Sequence, residues 1–202
     1  HAVNAGGTYD LLQNEYSVRG WRDTKDAGAK ISPVKLQNYL VNSYTGNDLI
    51  TNGSFNSNFD GWGCWAQNNT CNTVWQNNGA LDAGYLKITS PMNYFGEFFN
   101  TQLFTMQQNK QYLLTYSVLG DANKIIAFNF QDRSNWAQLT QRTKKEVATT
   151  RINQKYLVVP NANTSAAQLT FYMAPEFVNS VSLDNIKLQE VNTTAVDPLT
   201  QN

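Results

Sequence analysis

Short runs in which apolar and polar positions alternate dominate the chain from about residue 80 onward, separated by turn-forming residues. In the run 125–131, Ile126, Phe128 and Phe130 fall on one side, while Ala127, Asn129 and Gln131 fall on the other, because successive strand side chains point to opposite faces. The run 168–172 likewise sets Leu169 and Phe171 against Gln168, Thr170 and Tyr172. Strands are predicted at Tyr85–Thr89, Gly96–Phe104, Tyr112–Leu119, Lys124–Phe130, Lys155–Val159, Gln168–Met173 and Ser180–Leu188. Turns carry Asn77-Asn78-Gly79, Gly120-Asp121-Ala122-Asn123 and Pro160-Asn161-Ala162-Asn163. No amphipathic helix of three turns stands out. The pattern predicts an all-β protein, an antiparallel two-sheet β-sandwich, with Phe55, Trp62, Tyr112, Phe128 and Phe171 in its core. Residues 1–47 lack sustained periodicity and read as an irregular leader; 48–190 form the sandwich and 191–202 a tail.

Length and charge narrow the field. The 202 residues suffice for one domain with a buried core plus a modest extra segment. Formal net charge is zero, and the densest basic spot, Lys144-Lys145, reads as a solvated loop, so no nucleic acid is expected as partner. No apolar run has the length to span a bilayer, and the first residues are not a signal peptide. Opening at His1, the chain is expected to be cut from a longer precursor.

Only 15% of residues are charged, about one in eight is Asn, and aromatics reach 12%. Amides hydrogen-bond hydroxyls and flat rings cover apolar C–H faces, so this composition suits neutral, hydroxyl-rich ligands. A source organism rich in Asn and Thr explains it equally well. Cys64 and Cys71 are separated by polar turn-formers. A disulfide between them would contribute roughly 2–3 kcal/mol and fits an oxidising, extracellular compartment. With His1 the sole histidine and no further thiol, a zinc site is not expected.

Three landmarks carry a family resemblance. Asp48-Leu49-Ile50-Thr51-Asn52-Gly53-Ser54-Phe55 with Phe59-Asp60-Gly61-Trp62, the run Asn109–Tyr116, and the closing run Val181–Leu188 resemble carbohydrate-binding modules of families 4, 9, 16 and 22. That resemblance implies a β-jelly roll whose concave sheet holds a glycan chain. Separately, Thr8–Gly20 and Asp26–Ala29 resemble the closing end of bacterial right-handed β-helix proteins, although Gln13 stands where those carry Gly, Glu15-Tyr16 where they carry Pro-Arg, and Ala27 where they carry Ile. This implies a longer glycan-processing protein with an upstream covalent neighbour domain. A leader packed on the sandwich is the alternative.

The resemblance places a sugar-stacking ring at Trp65 and a second at Trp136, while Trp62 belongs to the core. It puts hydrogen-bonding side chains at Gln102, Asn129, Gln131, Gln168 and Tyr172, and the alternation independently sets Asn129 with Gln131 and Gln168 with Tyr172. Trp75, Tyr94 and Phe95 are further candidates. It also implies a structural calcium ion held by Asn56 and Asp184, weakened because Asn56 replaces an acid. No catalytic residue is expected. Asp132 and Glu97 do not form a matched acid pair, and no Ser-His-Asp set exists. The expected ligand is a polysaccharide of β-glucan, xylan or mannan type, while Arg133, Arg142, Lys144 and Lys145 leave acidic chains open. A structural or adhesive sandwich without a glycan site, and a lyase-like jelly roll using Tyr172 with Arg142 or Arg133, are the competing readings.

Overall fold

Gly53 shows why the first and last landmarks belong together. A Cβ there would lie 1.9 Å from the Ile186 carbonyl oxygen, so only glycine lets the opening turn lie against the last strand. The Gly53 carbonyl accepts the Ile186 N–H at 2.9 Å. The last strand bulges at this point: its register shifts between Asp184 and Lys187, and Asn185 takes a left-handed conformation (φ 52°), which Asn tolerates better than most residues. Asp48 closes the same corner, its Oδ1 accepting the N–H groups of Ile50 and Leu188, each at 3.0 Å.

The computed structural model describes residues 45–67, 72–82, 84–89, 96–108, 110–121, 124–173 and 180–191. The leader expected at 1–47, the tail, Cys71, Tyr94 and Phe95 lie wholly or largely outside the described residues. The strands are β1 (Thr45–Asp48), β2 (Trp62–Ala66), β3 (Asn72–Gln76), β4 (Tyr85–Thr89), β5 (Gly96–Asn100), β6 (Phe104–Met106), β7 (Tyr112–Gly120), β8 (Lys124–Asp132), β9 (Thr143–Val147), β10 (Ile152–Val158), β11 (Thr164–Met173) and β12 (Ser180–Val191). They form two antiparallel six-stranded sheets. Sheet I runs β10-β7-β12-β4-β3 with β1 also on β12, and sheet II runs β2-β5-β11-β8-β9 with β6 also on β11. This is the predicted two-sheet jelly roll.

Alternation drives the layering, since each strand must bury one face and wet the other. Ile126, Phe128, Phe130, Leu169 and Phe171 of sheet II meet Leu114, Tyr116, Val118, Leu183 and Leu188 of sheet I, all of them buried. Full burial of each such side chain contributes about 1.5–3 kcal/mol. Trp62 stacks on Phe98 with centroids 4.9 Å apart, and its indole N–H donates to the Asn52 carbonyl at 3.2 Å. Tyr116 meets Phe128 and Phe171 edge-on at 6.0 and 5.3 Å. All five core residues expected from the sequence are buried. Several segments differ from expectation: β1, β2 and β3 form where no strand was predicted, and β1 takes residues 45–47 of the expected leader into sheet I, paired with β12. The single strand expected over 96–104 is two, β5 and β6, on either side of a bend. Lys144-Lys145, expected in a loop, lies on β9, an edge strand whose charges discourage further pairing.

Candidate functional site

In an antiparallel sheet, directly paired residues share a face, so the register writes out the outer surface of sheet II. One row crosses all five strands of the path: Trp65 on β2, Glu97 on β5, Tyr172 on β11, Ala127 on β8 and Lys144 on β9. The next row holds Gly63, Phe99, Thr170 and Asn129, and a third pairs Gln168 with Gln131. The Phe99 ring lies across Gly63, and it would have to shift for a larger residue there, whose Cβ would come within 2.6 Å of it.

Trp65 and Trp136 are the two tryptophans that stand out from this surface, 47% and 60% exposed. Trp136 sits in a tight turn after β8. Asp132 Oδ1 accepts from the Ser134 N–H and hydroxyl at 2.8 and 2.6 Å, and the Asp132 carbonyl accepts the Trp136 N–H at 2.7 Å. These bonds hold Trp136 at φ 62°, a conformation that costs a non-glycine residue of order 1–3 kcal/mol. An exposed ring gains little burial to offset that strain.

The polar candidates divide. Tyr172 and Asn129 are fully buried and Gln131 is half-buried. Gln131 Nε2 donates to the Tyr172 hydroxyl, and that hydroxyl donates to Asn129 Oδ1, both at 2.7 Å. Gln168 is only 3% exposed, its Nε2 donating to the Asn100 carbonyl at 2.7 Å. It therefore stitches β11 to β5 and is not an open ligand for a sugar. Gln102 follows Thr101 at the β5–β6 bend, exposed and near Gly61. Trp75 is on sheet I, its indole N–H bonded to the Phe55 carbonyl at 2.6 Å. The expected open floor of amides is thus a buried layer. Two of its polar atoms, Asn129 Nδ2 and Thr170 Oγ1, have no hydrogen-bond partner.

Arginines overlie this layer. The Arg142 guanidinium lies 3.7 Å from the Tyr172 ring centroid. That of Arg133 lies 3.7 Å from the Trp136 ring and 5.8 Å from Phe99. Glu97 is the carboxylate at the centre of the face. Burial pushes its carboxyl above the ordinary value, while Arg142 and Arg133 pull it down. The Tyr172 hydroxyl is also raised, first by burial and then by Glu97. Sequence reasoning missed Glu97 and Phe99 as surface residues of this face; the alternation of β5, with Phe98 inward, carried the signal.

The residues expected to hold calcium lie elsewhere. Asp184, on sheet I, is fully buried and accepts N–H groups from Asn185 at 2.7 Å and Asp82 at 3.3 Å. Arg151 already grips the neighbouring Asp82 through two bonds of 2.6 and 3.0 Å. The Asn56 side chain is exposed. A hard cation needs six to eight oxygens, and no cluster of three or more His, Cys, Asp or Glu exists among the described residues. The donor set does not fit calcium, because N–H groups and a guanidinium hold the carboxylates.

No family model matches the sequence, and none of the curated proteins matches it. Solved structures do share its fold. The enzymatically active domain of tailspike protein 4 from bacteriophage CBA120 has a TM-score of 0.58 at 12% identity, over 71% of this chain and 21% of that one. The CBM22-1 xylan-binding domain from Paenibacillus barcinonensis has a TM-score of 0.55 at 13% identity, over 75% of this chain and 99% of that domain. TmCBM61, solved in complex with β-1,4-galactotriose, has a TM-score of 0.50 at 11% identity, over 71% and 98%. The chain thus spans about a fifth of the tailspike domain and nearly the whole of each binding module. Its fold is the β-sandwich of carbohydrate-binding modules.

Proposed function

We propose that the outer face of sheet II binds a polysaccharide chain without cleaving it, as the targeting part of a larger secreted glycan-active protein. The observation that carries this reading is the pair of exposed tryptophans on one face, one of them held in a strained turn. Xylan binding by one structural neighbour and the galactotriose in another support it. The carboxylates argue for binding over hydrolysis. Among the described residues, Glu97 on β5 and Glu146 on β9 are three strand spacings apart and two residues out of register, about 16 Å between backbones, whereas glycosidase carboxyl pairs stand roughly 5–9.5 Å apart. A bond between Cys64 and Cys71 would suit the extracellular setting; among the described residues no cysteine is free.

Affinity electrophoresis against a panel of polysaccharides tests the proposal. At least one chain should retard the protein with a dissociation constant between micromolar and millimolar, and incubation should release no new reducing ends. Each ring stack contributes roughly 0.5–1.5 kcal/mol beyond its buried area. Trp65→Ala or Trp136→Ala should therefore weaken binding about tenfold with the melting temperature nearly unchanged. Silence across the whole panel would leave a structural sandwich with no glycan site.

A further inference from the structure

We infer that Arg133 is a positioning residue for Trp136: its guanidinium, laid on one face of the indole, fixes the ring so that the opposite face is presented to the sugar. This rests on the glycan-binding reading above and adds to it a residue that acts on the ligand through another side chain.

Trp136 is the last residue of the hairpin loop 133–136. The Asp132 N–H closes that loop on the Ala137 carbonyl at 2.8 Å, and the Trp136 N–H bonds the Asp132 carbonyl at 2.7 Å. Beyond this closure Gln131 and Gln138 face each other as an antiparallel bridge. A left-handed position in such a loop favours glycine, yet here it carries the largest side chain. The bonds fix the backbone of Trp136 but leave the two torsions of its side chain open, and an exposed ring has no core packing to settle them.

Arg133, in the same loop, supplies that restraint. Its own N–H donates to the Ala166 carbonyl at 2.9 Å, which ties the start of the loop to β11. Its guanidinium carbon lies 3.7 Å from the Trp136 ring centroid, the contact distance of two flat groups, and 5.8 Å from that of Phe99. Both lie within the roughly 6 Å reach of a cation–π attraction. The Phe99 ring in turn lies across Gly63 on β2. Backbone, ring, cation and indole thus form one connected stack that ends at Trp136. A flat cation covers a single face of the indole and leaves the other to the C–H groups of a sugar. A ring ordered in advance loses less freedom when the ligand arrives. The guanidinium need not touch the ligand at all.

The test pairs affinity electrophoresis with fluorine NMR of protein carrying fluorotryptophan, the Trp136 signal being the one that Trp136→Ala removes. The probes are xylan, β-glucan, mannan, galactan and polygalacturonate. Arg133→Gln should weaken binding to the best of them about threefold to tenfold, and by no more than Trp136→Ala does, with the melting temperature nearly unchanged. Its Trp136 fluorine signal should move toward the position seen in the unfolded protein. Arg133→Lys keeps the charge but loses the flat contact, and should recover only part of the affinity. In a Trp136→Ala background, Arg133→Gln should cause no further loss. A loss of equal size in that background would overturn the inference, because Arg133 would then act on the sugar without Trp136. Full recovery with lysine, or an Arg133→Gln variant that binds as well as the wild type, would overturn it too. In each of those three cases the glycan reading stands. No binding of the wild type to any of the polymers would overturn that reading and this inference together.

Discussion

The outer faces of the two sheets use similar side chains to opposite ends. On sheet I, Arg151 donates to both oxygens of Asp82, to Ser117 Oγ at 3.0 Å and to Asn153 Oδ1 at 3.1 Å, while Asn185 bonds both Asp82 and Asp184. Every charge in that network has a partner within it. On sheet II the guanidiniums rest on aromatic faces and a strained tryptophan is exposed. A closed network stabilises its own surface, whereas exposed rings are what the proposed site offers a ligand. The presence of arginine and asparagine on a β-face therefore says little; what their donors meet decides the role.

The hardest test of the comparison removes what both faces share. Trp62→Ala deletes the ring stacked on Phe98 between the sheets and should cost about 3–5 kcal/mol, seen as a lower denaturant midpoint and loss of all glycan binding. Next is the edge that carries Trp65. If Cys64 and Cys71 are bonded, reduction should cost about 2–3 kcal/mol, and the unfolded, unreduced protein should show no free thiol on titration; two free thiols would reject the bond. Arg151→Gln then separates the faces. It strips the counter-charge from Asp82 and from the buried Asp184, so the melting temperature should fall while glycan affinity stays within twofold of wild type. A loss of affinity there would mean that the two faces are coupled through the core. Chelator treatment should leave the wild-type melting temperature unchanged, since N–H donors hold Asp184.

The fold was legible because its landmarks answer to steric and hydrogen-bonding demands that admit few residues. Gly53 has no substitute against the Ile186 carbonyl, 1.9 Å from its would-be Cβ. Alternation then assigned the faces of β8 and β11 correctly. β9 escaped notice because Thr143–Val147 is rich in charge, which an edge strand tolerates and a periodicity search discounts. The site was legible only in part. Alternation says which way Asn129 and Gln168 point, but not what lies over them. Arg133 and Arg142 reach this face from turns after β8, and Asn100 meets Gln168 from 68 positions away. Burial of that kind is a property of tertiary packing, and no local pattern encodes it.

The smallest expected effect sharpens the comparison most directly, because Glu97 is the half-buried carboxylate in the middle strands of this face. Its carboxyl is raised above the ordinary glutamate value, chiefly by burial, with Arg142 and Arg133 opposing. Between the unfolded value and the raised folded value, the native state holds more protons than the unfolded one, so stability falls as pH rises through that window. Glu97→Gln keeps the shape and removes the titration. The variant should be slightly more stable than wild type at neutral pH, and its stability should change less with pH just above 4.5, as read from denaturant midpoints measured across that range. A midpoint that varies with pH in Glu97→Gln as much as in the wild type would assign that titration to another group.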